Sequence, residues 1–565
     1  MDYKSYIAEK LSAFGVPVDE IAGAIAVPPD KTMGDYALPC FKFAKTMRKS
    51  PVMIANELCE KFVCDEIISK VEAVNGYLNF RVNREGLVKE SLAKILAEKE
   101  NYGRSDVGNG KTVCIDYSSI NVAKPFHIGH LSTTVIGGAL YRTFKFLGYE
   151  TIGINHLGDY GTQFGKLIYA YKNWGKKEDV EQGGIKELNR LYVRYHAESE
   201  NNPSMDDQAR RYFKLIEQGD KECNELFNWF KEITLKEVDK IYTELDIKFD
   251  SYAGESFYND KMQPVIDELT EKGILKESEG AKIVDLEEYN MAPCLILRSD
   301  GASLYATRDL AAALYRKNTY NFDKCLYVVA YQQNLHFKQI FKVLELMGKE
   351  WAKDMVHVAY GMVSLLDENG NQVAMSTRHG TVVLLEDVLK KCHEKCLAVI
   401  ENKNPDLLDK ENIAKMVGTG AVIFAALSNS KIKDIAFSYD KILNFDGETG
   451  PYVQYTAARI KSVLRKGGEP SAYTVKEINE DEYQLISALA NFPEVVKSSA
   501  DKLEPFFITR YAIEIASLFN KFYFNCKIIG EEKDTESFRL EICQATLTVL
   551  TNALNLLGIK VPERM

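Results

Sequence analysis

Thr112-Val113-Cys114-Ile115-Asp116-Tyr117-Ser118-Ser119-Ile120-Asn121-Val122-Ala123-Lys124-Pro125-Phe126-His127-Ile128-Gly129-His130 is the stretch on which the fold of this chain turns. Its first six residues, Thr112 to Tyr117, read as a short buried strand. A loop follows, and Leu131 to Leu147 keeps helical spacing until Gly148 stops it. Thr151 to Asn155 is strand-like again. Strand, helix and strand within about 45 residues match a parallel βαβ unit, which predicts an α/β nucleotide-binding core.

The loop carries chemistry as well as topology. Pro125 suits the first turn of a helix. His127 and His130, three residues apart, would then share one face at the helix N-terminus, where unpaired N–H groups and the dipole attract anions. Gly129 between them leaves the backbone open to a flat base or ribose. With the Lys124 ammonium beside the two imidazoles, the segment predicts a cradle for a nucleotide phosphate. Gly110-Lys111-Thr112 upstream is a decoy. A P-loop needs a glycine where Ser105 stands and must open a helix, whereas Thr112 opens a strand.

Composition sets the outer bounds. The chain has 565 residues, 46 % hydrophobic and 27 % charged, the balance of a globular protein of several domains rather than a disordered, fibrous or disulfide-stapled one. The N-terminus is charged at once, so no secretory signal is expected. The longest uncharged stretch, Ile542 to Ile559, carries Gln544, Thr546, Thr548, Thr551, Asn552 and Asn555 and reads as a helix with one polar face, not a membrane span. Eleven scattered cysteines, an odd number, fit reduced thiols and a cytoplasmic protein. Cys392 and Cys396 lack a second Cys/His pair nearby and read as one helix face, so no metal ligands are assigned. A net charge of −10 excludes a surface coated for unspecific nucleic-acid binding, though not a local basic face.

Along the chain, residues 1 to about 85 mix short helical patterns with strand-like stretches such as Gly76 to Phe80. Lys89 to Lys99 reads as an amphipathic helix and Asn101 to Gly110 as a linker. Residues 170 to 250 are dense in Lys, Glu, Tyr and Leu at helical spacing and predict a helical insertion. Apolar segments return between Ala281 and Leu385, among them the strand-like Cys325 to Tyr331, and from about Asn404 nearly everything is helical.

The stretch from Asp116 to His130 resembles the "HIGH" signature of class I aminoacyl-tRNA synthetases. Continued by Asn155-His156-Leu157-Gly158-Asp159-Tyr160-Gly161-Thr162-Gln163-Phe164-Gly165, it resembles the arginyl-tRNA synthetase family. Asp300 to Asp309, Met375-Ser376-Thr377-Arg378, and Gly450 to Arg459 agree in order, as do Met33 to Ala37 and Gly76 to Phe80 near the N-terminus. The resemblance implies an α/β protein: a Rossmann-like catalytic core with a helical insertion, an N-terminal α+β domain and a C-terminal all-helical anticodon-binding domain. The expected bounds are 1–85 for the additional tRNA-binding domain, 86–110 for a linker and 111–400 for the catalytic domain with its insertion at about 170–250. A helical connector at 401–450 and an anticodon-binding domain at 451–565 complete them.

The family's activity would be ligation of arginine to tRNA(Arg), with ATP as substrate and Mg²⁺ on its phosphates, by a monomer whose other partners are arginine and ATP. The resemblance assigns catalysis to Lys124, His127, His130 and Arg378, and ATP binding to His127, Gly129, His130, Met375 and Ser376. It gives the arginine side chain to Tyr305, Asp309, Gln333 and Glu255, and the α-amino end to Asn121 and Asp116. A guanidinium never deprotonates in proteins, so carboxylates such as Asp309 and Glu255 are the acceptors such a pocket needs. Ala374 and Thr377 stand where the second signature often has lysines, which leaves Arg378 and Lys124 as the cations. Ser132, Gly138 and Gln332 also depart from the usual pattern.

The region from residue 451 onward is nearly charge-balanced, with 14 basic and 15 acidic residues. Within it Arg459, Lys461, Arg465 and Lys466 follow Tyr452 and Tyr455 with no acid among them, a pattern suited to RNA bases and phosphates. With the resemblance, Tyr452, Tyr455, Arg459, Lys461 and Arg465 are the expected tRNA contacts. For Asp309 alone, an ion pair with Arg308 or a helix cap remains the alternative. Two rival functions are a transferase making a small adenylylated metabolite and a non-catalytic relative that senses arginine or binds tRNA. The long helical C-terminus argues against the first, and intact His127, His130, Asn121, Tyr305 and Asp309 argue against the second.

Overall fold

The structure is a computed structural model that describes residues 3–12, 15, 17–28, 30, 33–200, 202–299, 305–366, 370, 383–474 and 477–565. The chain divides into two compact units. The first comprises residues 1–102 with 463–491 and 517–549. Its sheet is antiparallel, with β3 (Tyr77–Val82) between β1 (Tyr36–Pro39) and β2 (Ile68–Val74). Ile7, Leu11, Ile54, Leu58, Leu78 and Phe80 are buried in this unit. Asp35, within the Met33-to-Ala37 segment, ties the sheet to a helix. Its carboxylate accepts from the Val82 N–H at 2.9 Å and from the Tyr483 hydroxyl at 2.8 Å. Within the stretch expected to be a linker, residues 86–98 lie in the helix Arg84–Glu98, capped by Asn83. This helix buries Leu87, Val88, Leu92 and Ile95 and packs against the helix Glu480–Ala490.

The second unit comprises residues 103–462, 492–516 and 550–565. Its central sheet is wholly parallel, in the order β10 (Met355–His357), β9 (Lys324–Tyr327), β4 (Thr112–Asp116) and β5 (Glu150–Ile154). β4 has β5 on one side and β9 on the other, so the winding of the sheet reverses beside it. The carboxyl end of such a strand is where open α/β sheets leave a crevice for ligands. β4 ends at Asp116.

The helix Leu131–Phe146 connects β4 to β5, as the spacing predicts. It lies close to the strand because Gly137 faces Tyr117, whose Cβ and ring an added methyl group would overlap. Four helices, Thr162–Trp174, Lys177–Ser199, Ser204–Glu217 and Lys221–Glu244, form the insertion and start somewhat earlier than residue 170. An antiparallel meander of β6 (Leu275–Ser278), β7 (Ala281–Val284) and β8 (Cys294–Leu297) follows. β9 is shorter than expected, since residues 328–331 leave the strand. A small parallel pair, β11 (Val363–Leu365) and β12 (Ile435–Phe437), lies outside the main sheet. Described residues beyond 450 are mainly helical. All eleven cysteines are free thiols, with Cys64 exposed, Cys59 partly covered and the others buried. Cys392 and Cys396 lie one turn apart in the helix Leu385–Lys403, both buried.

The contact at Gly137 gives a first test. Alanine there would gain about 1 kcal/mol of helix propensity but overpack Tyr117 at a cost of about 1–3 kcal/mol. Gly137→Ala is therefore expected to lower the urea midpoint, whereas an unchanged or higher midpoint would contradict the close packing.

Candidate active site

The loop after β4 is tightly wound. Ser118, Ser119 and Ala123 have φ of 69°, 45° and 62°. The Ser118 N–H donates to Thr133 Oγ1 at 3.0 Å, and that hydroxyl donates to the Val328 carbonyl at 2.7 Å. The loop is thereby fixed both to the helix behind it and to the exit of β9.

Pro125 is not in a first helical turn. Residues around His127 run extended (φ −111°, ψ 168°) and pair with the chain near Leu384. The Ile128 N–H donates to the Val383 carbonyl at 2.9 Å and the Leu385 N–H to the Phe126 carbonyl at 3.0 Å. Met375, Ser376 and Arg378 lie outside the described residues. His127 is the N-cap of a 3₁₀ turn, Ile128–His130, that leads into the Leu131–Phe146 helix.

The two histidines cap this turn reciprocally. His127 Nδ1 accepts from the Gly129 N–H at 3.1 Å, and His130 Nδ1 accepts from the His127 N–H at 3.3 Å. Each neutral ring therefore carries its proton on Nε2, free to donate elsewhere. Burial pushes His130 down to about 3, with His127 next to it adding to the effect. Burial and the nearby Lys124 ammonium lower His127 as well. Near neutrality both rings are donors without charge, and the cation here is Lys124, whose Nζ lies 5.8 Å from the Tyr192 ring centroid. Gly129 fits because the His127 ring folds over it.

Carboxylates from distant parts of the chain gather at the end of β4. Asp116 is buried; its Oδ2 lies 2.7 Å from Arg316 Nη2, and its Oδ1 accepts from the Ser119 hydroxyl at 2.8 Å. Arg316 is only 1 % exposed and lies over the Tyr327 ring. Glu255 opens the 3₁₀ turn Glu255–Lys261, and its N–H donates to the Leu157 carbonyl. Burial pushes its carboxyl up to about 7; Arg308, 3.8 Å away, opposes this, while Asp309 and Asp159 reinforce it. Burial lowers His156, and Asp116, Asp309 and Asp159 act against that shift. These groups thus form one electrostatic neighbourhood.

Asp309 does not pair with Arg308. Its Oδ2 lies 2.6 Å from His336 Nε2, while Arg308 stacks over the Tyr160 ring at 4.1 Å. Tyr305 begins the helix Tyr305–Tyr320, one turn before Asp309, and is 64 % exposed. Gln333 is exposed at the end of the turn Tyr331–Gln333. Asn121 bridges to Gly158, and its carboxamide lies over that glycine.

Sequence reasoning leaves Asp159, Arg316 and His336 without roles. Asp159 is fully buried and accepts from Lys231 Nζ at 2.7 Å, the Ser256 N–H at 2.8 Å and the Ser256 hydroxyl at 2.8 Å. Its signal is its place inside the Asn155-to-Gly165 segment. Arg316 and His336 have none beyond their positions on helices.

On the helix Gly450–Gly467, Arg459 lies over the Tyr455 ring at 4.9 Å, and Tyr455 is 40 % exposed. Tyr452 is partly buried, and Arg465 is in the last turn. Lys461 pairs with Glu563 at 3.0 Å, so its charge is locally balanced. Gln454 is buried and donates to the Lys560 carbonyl at 2.8 Å.

Removing Arg316 would strand the Asp116 carboxylate in a dry site. Breaking such a pair typically costs about 3–5 kcal/mol, so Arg316→Met is expected to lower the unfolding free energy in urea by that order. A loss below about 1 kcal/mol would show that water reaches the pair.

Over residues 91–439 the chain matches the family described as tRNA synthetases class I (R), catalytic domain. Residues 453–565 match the DALR anticodon binding domain, and residues 1–82 the arginyl tRNA synthetase N terminal domain. The chain is 51 % identical to the arginine–tRNA ligase of Clostridium beijerinckii, covering 100 % of both. It is 54 % identical to that of Clostridioides difficile, covering 97 % of this chain and 96 % of the relative. Among solved structures, Thermus thermophilus arginyl-tRNA synthetase superposes with a TM-score of 0.84 at 27 % identity, covering 100 % of this chain and 99 % of that one.

Proposed function

The chain belongs to the class I arginyl-tRNA synthetases, and from that premise we infer which of its groups perform each part of the reaction. As an arginine–tRNA ligase it catalyses two steps. A carboxylate oxygen of arginine attacks the α-phosphorus of ATP; the new P–O bond forms as the bond to the β-phosphate breaks, releasing pyrophosphate and leaving arginyl-adenylate. A terminal ribose hydroxyl of tRNA(Arg) then attacks the activated carbonyl, and AMP departs.

The first step asks for positioning and for stabilisation of charge on phosphorus. His127 and His130 direct their Nε2–H groups to phosphate oxygens, and Gly129 lets the nucleotide approach the turn. Lys124 supplies the positive charge, joined by Arg378, while Met375 and Ser376 hold the nucleotide. Among the described residues no group of three or more His, Cys, Asp or Glu side chains could hold a metal ion. Mg²⁺ would sit on the ATP phosphates, where it neutralises charge.

Glu255 and Asp309 take the guanidinium of the substrate, with Tyr305 and Gln333 beside them. Asn121 and Asp116 hold the α-amino end, Asp116 being fixed in place by Arg316. The observation that supports this reading most is that Asp309, 54 residues away in sequence, comes close enough to Glu255 to help raise its carboxyl. Charge-assisted bonds of about 1.5–3 kcal/mol each in a forked geometry favour arginine over lysine. A neutral isostere would leave buried carboxylates poorly paired.

On the RNA side, Tyr452, Tyr455, Arg459, Lys461 and Arg465 are assigned to tRNA. The division at 1–85, 86–110, 111–400, 401–450 and 451–565 remains our reading of the functional segments. A monomeric, cytoplasmic enzyme is also proposed; free thiols throughout support a reducing compartment. No described helix is long and apolar enough to cross a membrane.

Two experiments test the site. Lys124→Ala should slow pyrophosphate exchange about 100-fold, the scale of a lost transition-state donor; a near-wild-type kcat would refute its role. Glu255, which burial raises to about 7, must be ionised to hold a guanidinium. Protons therefore compete with arginine below that value, and KM for arginine should rise about tenfold from about pH 8 to about pH 6. In Glu255→Gln that pH dependence should flatten.

A further inference from the structure

His336 has no part in the assignments above, yet it touches one of their central groups. It stands in the first turn of the helix Asn334–Leu346 and reaches across to Asp309 on the helix Tyr305–Tyr320. Its Nε2 lies 2.6 Å from Asp309 Oδ2, and the two side chains are 24 % and 28 % exposed, respectively, so both border open space. A carboxylate can only accept, so Nε2 carries the proton of this bond. The His336 ring is held in turn against Phe337, with centroids 5.5 Å apart.

Asp309 has a competing neighbour in sequence, Arg308, but that guanidinium is engaged with Glu255 and Tyr160. Each carboxylate oxygen has about two acceptor sites. Oδ2 can thus keep His336 and still take one N–H of a substrate guanidinium, while Oδ1 takes the other. We propose that His336 is a positioning residue that fixes the plane of the Asp309 carboxylate, so that both oxygens meet the fork of the arginine side chain. The proposal rests on Asp309 being the guanidinium acceptor. A carboxylate free to rotate would still attract the charge but would seldom offer the bidentate geometry, so the loss falls on arginine recognition and not on the phosphate chemistry.

Steady-state aminoacylation with the full-length enzyme and tRNA(Arg) tests this, using His336→Ala, His336→Gln, Asp309→Asn and the double variant His336→Ala/Asp309→Asn. His336→Ala should raise KM for arginine about tenfold, the scale of one charge-assisted hydrogen bond, with kcat and KM for ATP within about twofold of wild type. Glutamine places an N–H near the position of Nε2 and should recover part of the loss. The double variant should be no worse than Asp309→Asn alone, because positioning has no value once the carboxylate is gone. An unchanged or lower KM for arginine in His336→Ala, or additive effects in the double variant, would overturn the proposal while leaving Asp309 as acceptor if Asp309→Asn still raises KM. An unchanged KM in Asp309→Asn would overturn the acceptor assignment and the proposal together.

Discussion

A carboxylate and a guanidinium 2.7 Å apart, both withdrawn from water, stand where the central strand of the parallel sheet ends. Neither could be there alone, because an isolated buried charge would neutralise or unfold its surroundings. The Asp116–Arg316 pair therefore joins β4 to the helix Tyr305–Tyr320 as a unit. That helix also carries Tyr305, Arg308 and Asp309 in its first turns. Setting Arg316 against Asp116 thus sets the rest of the helix relative to the loop that begins at Ser118. The proposed amino-acid pocket and nucleotide loop would thus share one fixed point.

In the proposed site the two halves would use electrostatics in opposite ways. At the nucleotide end the imidazoles are kept neutral by burial and by Lys124, and their Nδ1 atoms are engaged by the backbone. On the proposed assignment they would offer directed donors to phosphate oxygens, with the charge left to Lys124. At the amino-acid end burial, reinforced by Asp309 and Asp159, raises the Glu255 carboxyl to about 7. An incoming guanidinium would favour its ionised form. An ammonium brings the same charge without the same reach, and a neutral ligand brings no charge.

How much of this could be read from residues alone varies with the range of the interaction. The strand from Thr112, the helix from Leu131 and the helical character of residues 170 to 250 follow local periodicity, and all are present. The amphipathic pattern of Leu87, Val88, Leu92 and Ile95 likewise gives a helix inside the stretch expected to link. Pro125 misleads because its surroundings pair with Val383 to Leu385, more than 250 residues away, and that pairing keeps them extended. Arg308 and Asp309 look like natural partners, but adjacent residues on a helix diverge in direction, and each meets a different element. Lys461 looks like an available cation until the fold brings Glu563 beside it. Arg316 leaves no trace in the sequence, since a cation at a helical position normally faces water.

The distribution of thiols has a consequence for the enzyme under chemical stress. Cys114 and Cys325 are neighbours across β4 and β9, and burial drives Cys325 up to about 11 and Cys114 higher still. Cys392, Cys396 and Cys543 rise to about 12 for the same reason. Peroxide and alkylating reagents attack the thiolate, which these sulfurs scarcely populate. Electrophiles arriving at the folded protein meet the exposed Cys64 first, and the thiols of the sheet beneath the loop at Ser118 are left unreactive.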